Sequence, residues 1–250
     1  MEVTTRIIKG GALLEDSRRF IEAWDESRPP GDNLETFRSR NLLGKRSRSR
    51  TEDTLAVLRQ RFVEPGPEVI RALKPLAIRA DGFRDACYYE VARNDDLLAY
   101  TAAEILYRLR DLGWVRITVD GVERALLETP PAPAVKEWAD TTRRRVVHGL
   151  LSALRDFRVL EGRATKHIAR PRLSFAGFIY VLGRLRTQLQ SSHQIVASGA
   201  WRWWLLEDRQ VRALFLEADR EGLLRFSEAG TSVRIDWRVG GLEEMVRAVA

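Results

Sequence analysis

The spacing of apolar residues predicts a chain built mostly from helices. Leu13, Phe20 and Trp24 share one helical face over 13–24, and Pro29-Pro30-Gly31 interrupts the pattern after them. The same periodicity predicts helices over 32–44, 49–63, 68–74, 82–93, 95–111, 134–160, 174–189, 197–205, 208–221 and 242–249. A break near 156–157 is the alternative for the 134–160 helix. The chain is therefore predicted to be mainly α.

Polar residues at the predicted helix starts indicate where each helix is capped. Asp32 with Glu35, and Ser49 with Glu52, have the spacing of a capping box. The segment 115–127 is ambiguous, because its Asp-Gly pair is typical of a hairpin turn while Thr118 suits a helix N-cap. We favour a helix there.

Near the C-terminus the pattern changes to the alternation of strands. The segments 223–227 and 232–238 are predicted to pair as a β-hairpin, with Val233, Ile235 and Trp237 on one face. The preceding helix pair and this hairpin have the order of a winged helix, in which Arg234 or Arg238 would touch DNA. An ordinary α+β packing unit is the alternative.

A proline-rich stretch, 129–133, is the strongest linker signal. It divides the chain into two predicted helical domains: 1–129, containing a helix-turn-helix-like segment, and 134–250, containing the winged-helix-like β-hairpin. The longest apolar run, 175–183, has about half the length that a membrane span needs. Cys87 is the single cysteine, so an internal disulfide is excluded. These features predict a cytoplasmic protein that does not contact a membrane.

Positive charge is segregated along the chain. The formal net charge is +7, from 42 Lys and Arg against 35 Asp and Glu. Two segments, 36–51 and 162–206, contain no acid at all. Segregated positive charge favours a polyphosphate partner, because each neutralised phosphate releases counterions. The preference for arginine over lysine has a second explanation, the codon bias of a GC-rich genome.

The first acid-free segment is predicted to link two helices, as in a helix-turn-helix. Its arginines would meet phosphates or the major groove at the start of the 49–63 helix. Glu52 and Asp53 in the first turn would oppose a phosphate, so a solvated basic loop is the alternative. The predicted DNA-binding residues of this segment are Arg38, Arg40, Lys45, Arg46, Arg48 and Arg50.

A second set of basic residues lies on the 134–160 helix and in the connector after it. A flexible connector over 162–172 would suit phosphate contacts, which need reach and charge more than fixed geometry. A surface linker kept soluble by arginine is the alternative. The predicted DNA-binding residues of this set are Arg143, Arg144, Arg163, Lys166, Arg170 and Arg172.

Signals of catalysis are weak. The three histidines lack metal-ligand spacing, and the glycine-rich phosphate loop, the G-x-S-x-G elbow and H-E-x-x-H are all missing from the sequence. We therefore expect no enzymatic activity, no cofactor and no metal. Trp201, Trp203 and Trp204 would either stack on exposed bases or anchor a core, and we favour the core.

Several short motifs are distributed along the chain. They are the opening 7–14 (IIKGGALL), 40–43 (RNLL), 171–174 (PRLS), and the ending from Trp201 through 222–226 (GLLRF) to 233–235 (VRI). These motifs resemble those of the BrxA family of bacterial BREX phage-exclusion systems. The resemblance spans nearly the whole chain. It implies a mainly helical protein that binds double-stranded DNA without known enzymatic activity.

The charge pattern and the resemblance together give one leading hypothesis. The chain is expected to be a non-enzymatic, double-stranded-DNA-binding component of a BREX-type system, with mainly phosphate contacts and weak sequence preference. A scaffold that joins other BREX proteins is the first alternative. RNA binding is the second, because part of the family's fold resembles the antitermination factor NusB.

Overall fold

The computed structural model of the protein describes residues 3–113, 116–230 and 232–250. As predicted, most of these residues are helical. The helices of the first half are α1 Ile7–Gly10, α2 Leu14–Ala23, α3 Pro30–Ser39, α4 Arg48–Leu58, α5 Pro67–Leu76, α6 Ala80–Asn94, α7 Asp96–Tyr100, α8 Tyr107–Asp111 and α9 Val119–Glu128. π-helical turns extend α4 over Arg59–Val63 and join α7 to α8 over Thr101–Leu106.

The remaining helices lie in the second half of the chain. They are α10 Ala132–Lys136, α11 Asp140–Asp156, α12 Phe175–Gln188, α13 Ser192–Val196, a 3₁₀ helix over Gly199–Trp204, α14 Asp208–Arg220 and α15 Leu242–Arg247. The predicted helix over 134–160 is two helices, and the second of them ends at Asp156, where the alternative placed a break. The predicted helix over 197–205 is in part the 3₁₀ helix.

Two predicted capping boxes are wrong. α3 begins at Pro30, whose missing N–H and fixed φ suit the first helical position, so Asp32 lies inside the helix. α4 begins at Arg48, because the Ser47 Oγ rather than that of Ser49 accepts the backbone N–H three residues on. The predicted N-cap Thr118 is confirmed, since its Oγ1 accepts the Gly121 N–H.

α6 and α12 form the centre of the molecule and are buried on almost every face. Their backbones approach closely, since a Cβ on Gly82 would lie 3.0 Å from the Ala176 Cβ. Between them, the fully buried Glu90 pairs with Arg184 at 2.8 Å. Arg184 belongs to the acid-free segment of the sequence, so its charge is neutralised inside the core.

Two small antiparallel sheets complete the fold. β1 Arg116–Ile117, β3 Lys166–Ile168 and β2 Leu160–Glu161 form one sheet in that order. The predicted flexible connector is thus held by strand pairing, with a tight turn at Gly162 (φ +87°), where a Cβ would meet the Thr165 carbonyl. The second sheet is the predicted hairpin, β4 Leu224–Ala229 with β5 Ser232–Trp237. Its turn includes Thr231, which lies outside the described residues.

One cluster of buried side chains extends through both halves of the chain. α9 packs against α10 and α11 across the proline-rich stretch. The division into two domains at this stretch remains a prediction. The predicted helix over 115–127 is present from Val119 onward, and Val115 lies outside the described residues.

The tryptophans of the 199–204 segment are core residues. Trp201 and Trp204 are 2% and 3% exposed. The Trp201 Nε1–H donates to the Ile195 carbonyl at 2.9 Å, and its ring lies beside Phe178 and Phe215. These contacts support core packing over base stacking.

Candidate nucleic-acid interface

The basic loop between α3 and α4 has a fixed conformation. Asn41, in the left-handed region at φ +46°, exchanges two 3.0 Å hydrogen bonds with the backbone of Lys45. Leu43, inside this turn, is buried in the core. The residues that follow are therefore presented in one geometry rather than as a mobile tether.

Arginines occupy the first turn of α4. Arg48 is the first helical residue, Arg50 is the third, and the turn contains no acid. The N-terminus of a helix carries partial positive charge, so a cation there is unfavourable and an anion is favourable. The exposed N–H groups of the same turn can donate to an anion. This placement of charge suits a bound phosphate.

The acids that seemed to oppose a phosphate at this helix are engaged elsewhere. The Glu52 carboxylate accepts a 2.9 Å hydrogen bond from Arg38 Nε, and Asp53 pairs with Lys9 at 3.3 Å. Because α4 starts at Arg48, both acids also lie beyond its first turn. Glu52 and Asp53 therefore repel a phosphate at the start of α4 less than the sequence alone indicated.

The six predicted residues of this segment fall into two groups. Arg38 is paired with Glu35 and Glu52, and Lys45 is paired with Asp16 at 2.6 Å. The others are exposed, and within the described part of the chain none has a carboxylate at ion-pair distance. These four unpaired arginines are Arg40, Arg46, Arg48 and Arg50.

A cleft of about 430 Å³ opens beside them, at the start of α4. Four cationic side chains and two carboxylates line it, so its formal charge is positive. The lining residues are Glu35, Arg38, Ser39, Asn41, Lys45, Arg46, Ser47, Arg48, Thr51 and Glu52. We call this cleft together with the four unpaired arginines the α4 surface.

The predicted arginines of α11 do not join this surface as free charges. Arg143 pairs with Glu123 at 3.3 Å and with Asp140, and Arg144 pairs with Asp120 at 2.9 Å. Both arginines point toward the acidic side of α9. Their neutralisation does not support the prediction that they bind DNA.

The remaining predicted residues lie along β2, β3 and the chain that follows. Arg163 and Arg170 are exposed and, among the described residues, have no carboxylate at ion-pair distance. The Lys166 Nζ donates to the Arg163 carbonyl at 3.3 Å. The sheet register sets Arg116 of β1 opposite His167, which adds a basic residue that sequence reasoning had not included.

Arg172 belongs to a group of charges that the sequence did not reveal. Arg84, Arg158 and Arg172 lie 2.8, 3.4 and 3.9 Å from the Asp81 carboxylate. The hydrogen bond from Arg84 lowers the pKa of the Asp81 carboxyl, and the charges of Arg158 and Arg172 lower it further. We call these four residues the Asp81 cluster. Only the fold brings them together, because they span 81–172.

The two arginines predicted to touch DNA from the C-terminal hairpin differ in whether they form an ion pair. Arg234 pairs with Asp236 at 2.8 Å, whereas Arg238 is exposed. A cleft of about 600 Å³ lies between the hairpin, α13 and α14, and contains His193, Arg202, Asp208 and Glu228. The mixed charges of this cleft do not favour a polyanion.

Comparison with solved structures supports the fold. A crystal structure of an uncharacterised protein from Magnetospirillum magneticum superposes with a TM-score of 0.59 at 14% identity, covering 82% of this chain and 98% of that one. No curated protein matches the chain. No helix within residues 3–113, 116–230 and 232–250 has the length and apolar character to cross a membrane. The BrxA family model matches residues 1–180, so the chain belongs to the BrxA family, whose members are associated with BREX phage defence.

Proposed function

We propose that this protein binds double-stranded DNA as a non-enzymatic component of a BREX system, with the α4 surface as its principal phosphate contact. The observation that carries the proposal is the set of unpaired, exposed arginines at and before the first turn of α4. Membership of the BrxA family supports the defence role.

The electrostatics of the α4 surface favour a polyanion over a small acidic ligand. Arg40, Arg46, Arg48 and Arg50 are spread over a loop and a helix start rather than converging on one point. Each guanidinium can pair with a separate phosphate, and the helix N–H groups can add a further contact. A duplex supplies phosphates in regular succession, so it satisfies all four together.

The contacts available here predict weak sequence preference. Phosphate contacts position a protein on the duplex but carry no base information. An eight-residue loop, 40–47, connects α3 to α4. Entry of the first turn of α4 into the major groove is the geometry that we propose for any base contact. In this proposal the protein performs no catalysis, and any contact with other BREX proteins is additional to DNA binding.

Binding of a labelled duplex, measured by fluorescence anisotropy over a salt series, tests the proposal. Four phosphate contacts predict a slope of about −3.6 in the plot of log K against log salt. Competition with double-stranded RNA of the same sequence and length separates the two nucleic acids. A slope shallower than about −1, or tighter binding of the RNA duplex, would contradict the proposal.

A further inference from the structure

The charges of the Asp81 cluster do not cancel. The Asp81 carboxylate faces three guanidinium groups, and the buried Asp85 carboxylate lies 3.7 Å from Arg84, which leaves a formal charge of +1 at one place on the surface. Arg84 is 12% exposed and fixed on Asp81, while Arg158 and Arg172 are 69% and 75% exposed. The two exposed arginines therefore share a carboxylate that is already engaged, and both are free to turn toward another anion.

The backbone at Arg158 has one of four left-handed non-glycine conformations among the described residues. Arg158 follows the end of α11 in the left-handed region, at φ +60°. Its N–H donates to the Arg155 carbonyl, and the Val159 N–H donates to the Leu154 carbonyl, both at 2.9 Å. This pair of bonds is a Schellman motif, in which glycine is the favoured residue at the left-handed position. Here an arginine occupies it, against the steric preference of the backbone.

We propose that the Asp81 cluster is a second phosphate-binding site, in which Asp81 holds Arg158 and Arg172 in place until a phosphate group takes over both. A guanidinium binds phosphate through two parallel N–H donors. A phosphodiester between the two arginines would lower the formal charge of the cluster, counted with Asp85, from +1 to 0. Arg84 would remain on Asp81.

The position of α2 relates this cluster to the α4 surface. On one side of α2, Asp16 pairs with Lys45, and Arg19 Nη1 lies 3.5 Å from the Leu43 carbonyl oxygen. On the other side, the Arg18 guanidinium lies 4.7 Å from the centre of the Phe83 ring, two residues from Asp81. A helix with its side chains is roughly 10–12 Å across. A duplex that contacts both sites would therefore cross α2.

That duplex arrangement rests on the proposed function, and the following variants separate the two ideas. Arg158→Gly removes one phosphate contact and suits the left-handed backbone, so duplex affinity should fall about eightfold at 0.1 M salt while the melting temperature does not fall. Asp81→Asn releases both exposed arginines and should tighten duplex binding. Asp236→Asn is the matched control, since it removes an equally charged, ion-paired aspartate from the hairpin.

Inorganic phosphate identifies the source of the bound group. If phosphate alone raises the melting temperature of the wild type but not of the Arg158→Gly variant, while duplex affinity is unchanged in every variant, the site serves a free phosphate. This result would support the cluster even if the chain failed to bind DNA.

Two results would overturn the proposal. One is a wild type that binds duplex while Arg158→Gly retains full affinity and phosphate gives no stabilisation. The other is Asp81→Asn tightening duplex binding no more than Asp236→Asn, with Arg172→Ala and Arg158→Gly both at wild-type affinity and with phosphate stabilising Arg158→Gly as much as the wild type. In either case the α4 surface and the proposed function would stand without the cluster.

Discussion

Replacing Arg46, Arg48 and Arg50 together with alanine tests the α4 surface most directly. Each is exposed and has no carboxylate partner within residues 3–113, 116–230 and 232–250, so its removal breaks no ion pair among them. If each contacts one phosphate, the salt slope should weaken by about 2.7, at about 0.9 per phosphate. At 0.1 M salt this corresponds to a loss of about 500-fold in affinity.

The same variant should be more stable than the wild type. Arg48 and Arg50 oppose the dipole at the start of α4, at a cost of roughly 0.3–1 kcal/mol each at low ionic strength. Removing both should raise the free energy of unfolding by that sum. For a chain of this size the gain is about 2–4 °C in melting temperature per kcal/mol.

Anisotropy titrations from low to moderate salt measure the slope, and thermal unfolding in the same buffers measures the stability. The matched control replaces Arg108, Arg124 and Arg220 with alanine. These arginines are exposed, lack a carboxylate partner among the described residues, and lie on three separate helices. An unchanged slope in the α4 variant, or an equal loss in the control, would refute the assignment, because net charge rather than position would then explain the binding.

Two further predictions follow from the pairing of charges and from burial. Replacing Arg143 and Arg144 with alanine should change the salt slope by less than about 0.9, the value for one phosphate contact, because carboxylates of α9 already neutralise both arginines. A change near 1.8 in the same titration would show that both arginines contact phosphates. Burial raises the pKa of the Asp85 carboxyl, so this group stabilises the fold fully below its unfolded pKa and the contribution is lost as pH rises through the folded pKa. Thermal unfolding from pH 3 to 7 should therefore show the wild type losing stability relative to Asp85→Asn as pH rises, and parallel curves would contradict this.

The sequence predicts those features whose causes are local. The N-cap Thr118 is recognisable because its hydroxyl accepts from a backbone N–H three residues later. The β4–β5 hairpin is recognisable because its strands are adjacent and alternate. The start of α4 was wrongly predicted at Ser49 because two nearby serines, Ser47 and Ser49, can each serve as an N-cap. The geometry of the preceding turn decides which serine caps the helix.

Pairing between charges was not predictable in the same way. The partner of Arg143 lies 20 residues earlier, and a partner of Arg184 lies 94 residues earlier. A stretch without acids in the sequence therefore says little about whether its arginines are free in the fold. Segregation of charge located the α4 surface, but only contacts between helices separated its four unpaired arginines from Arg38 and Lys45.

The position of an arginine helps to distinguish a binding role from a role in solubility. A helix N-terminus disfavours a positive charge, and a left-handed backbone disfavours a residue other than glycine. Codon bias can explain arginine in place of lysine, but it does not choose a helix N-terminus or a left-handed residue. Arg48 and Arg50 stand at the positive end of α4, and Arg158 stands where glycine is favoured. If these side chains served only solubility, other exposed positions would serve equally well at no local cost. Local strain and unfavourable charge persist at functional sites when a ligand compensates for them, and we propose phosphate as the ligand common to all three residues.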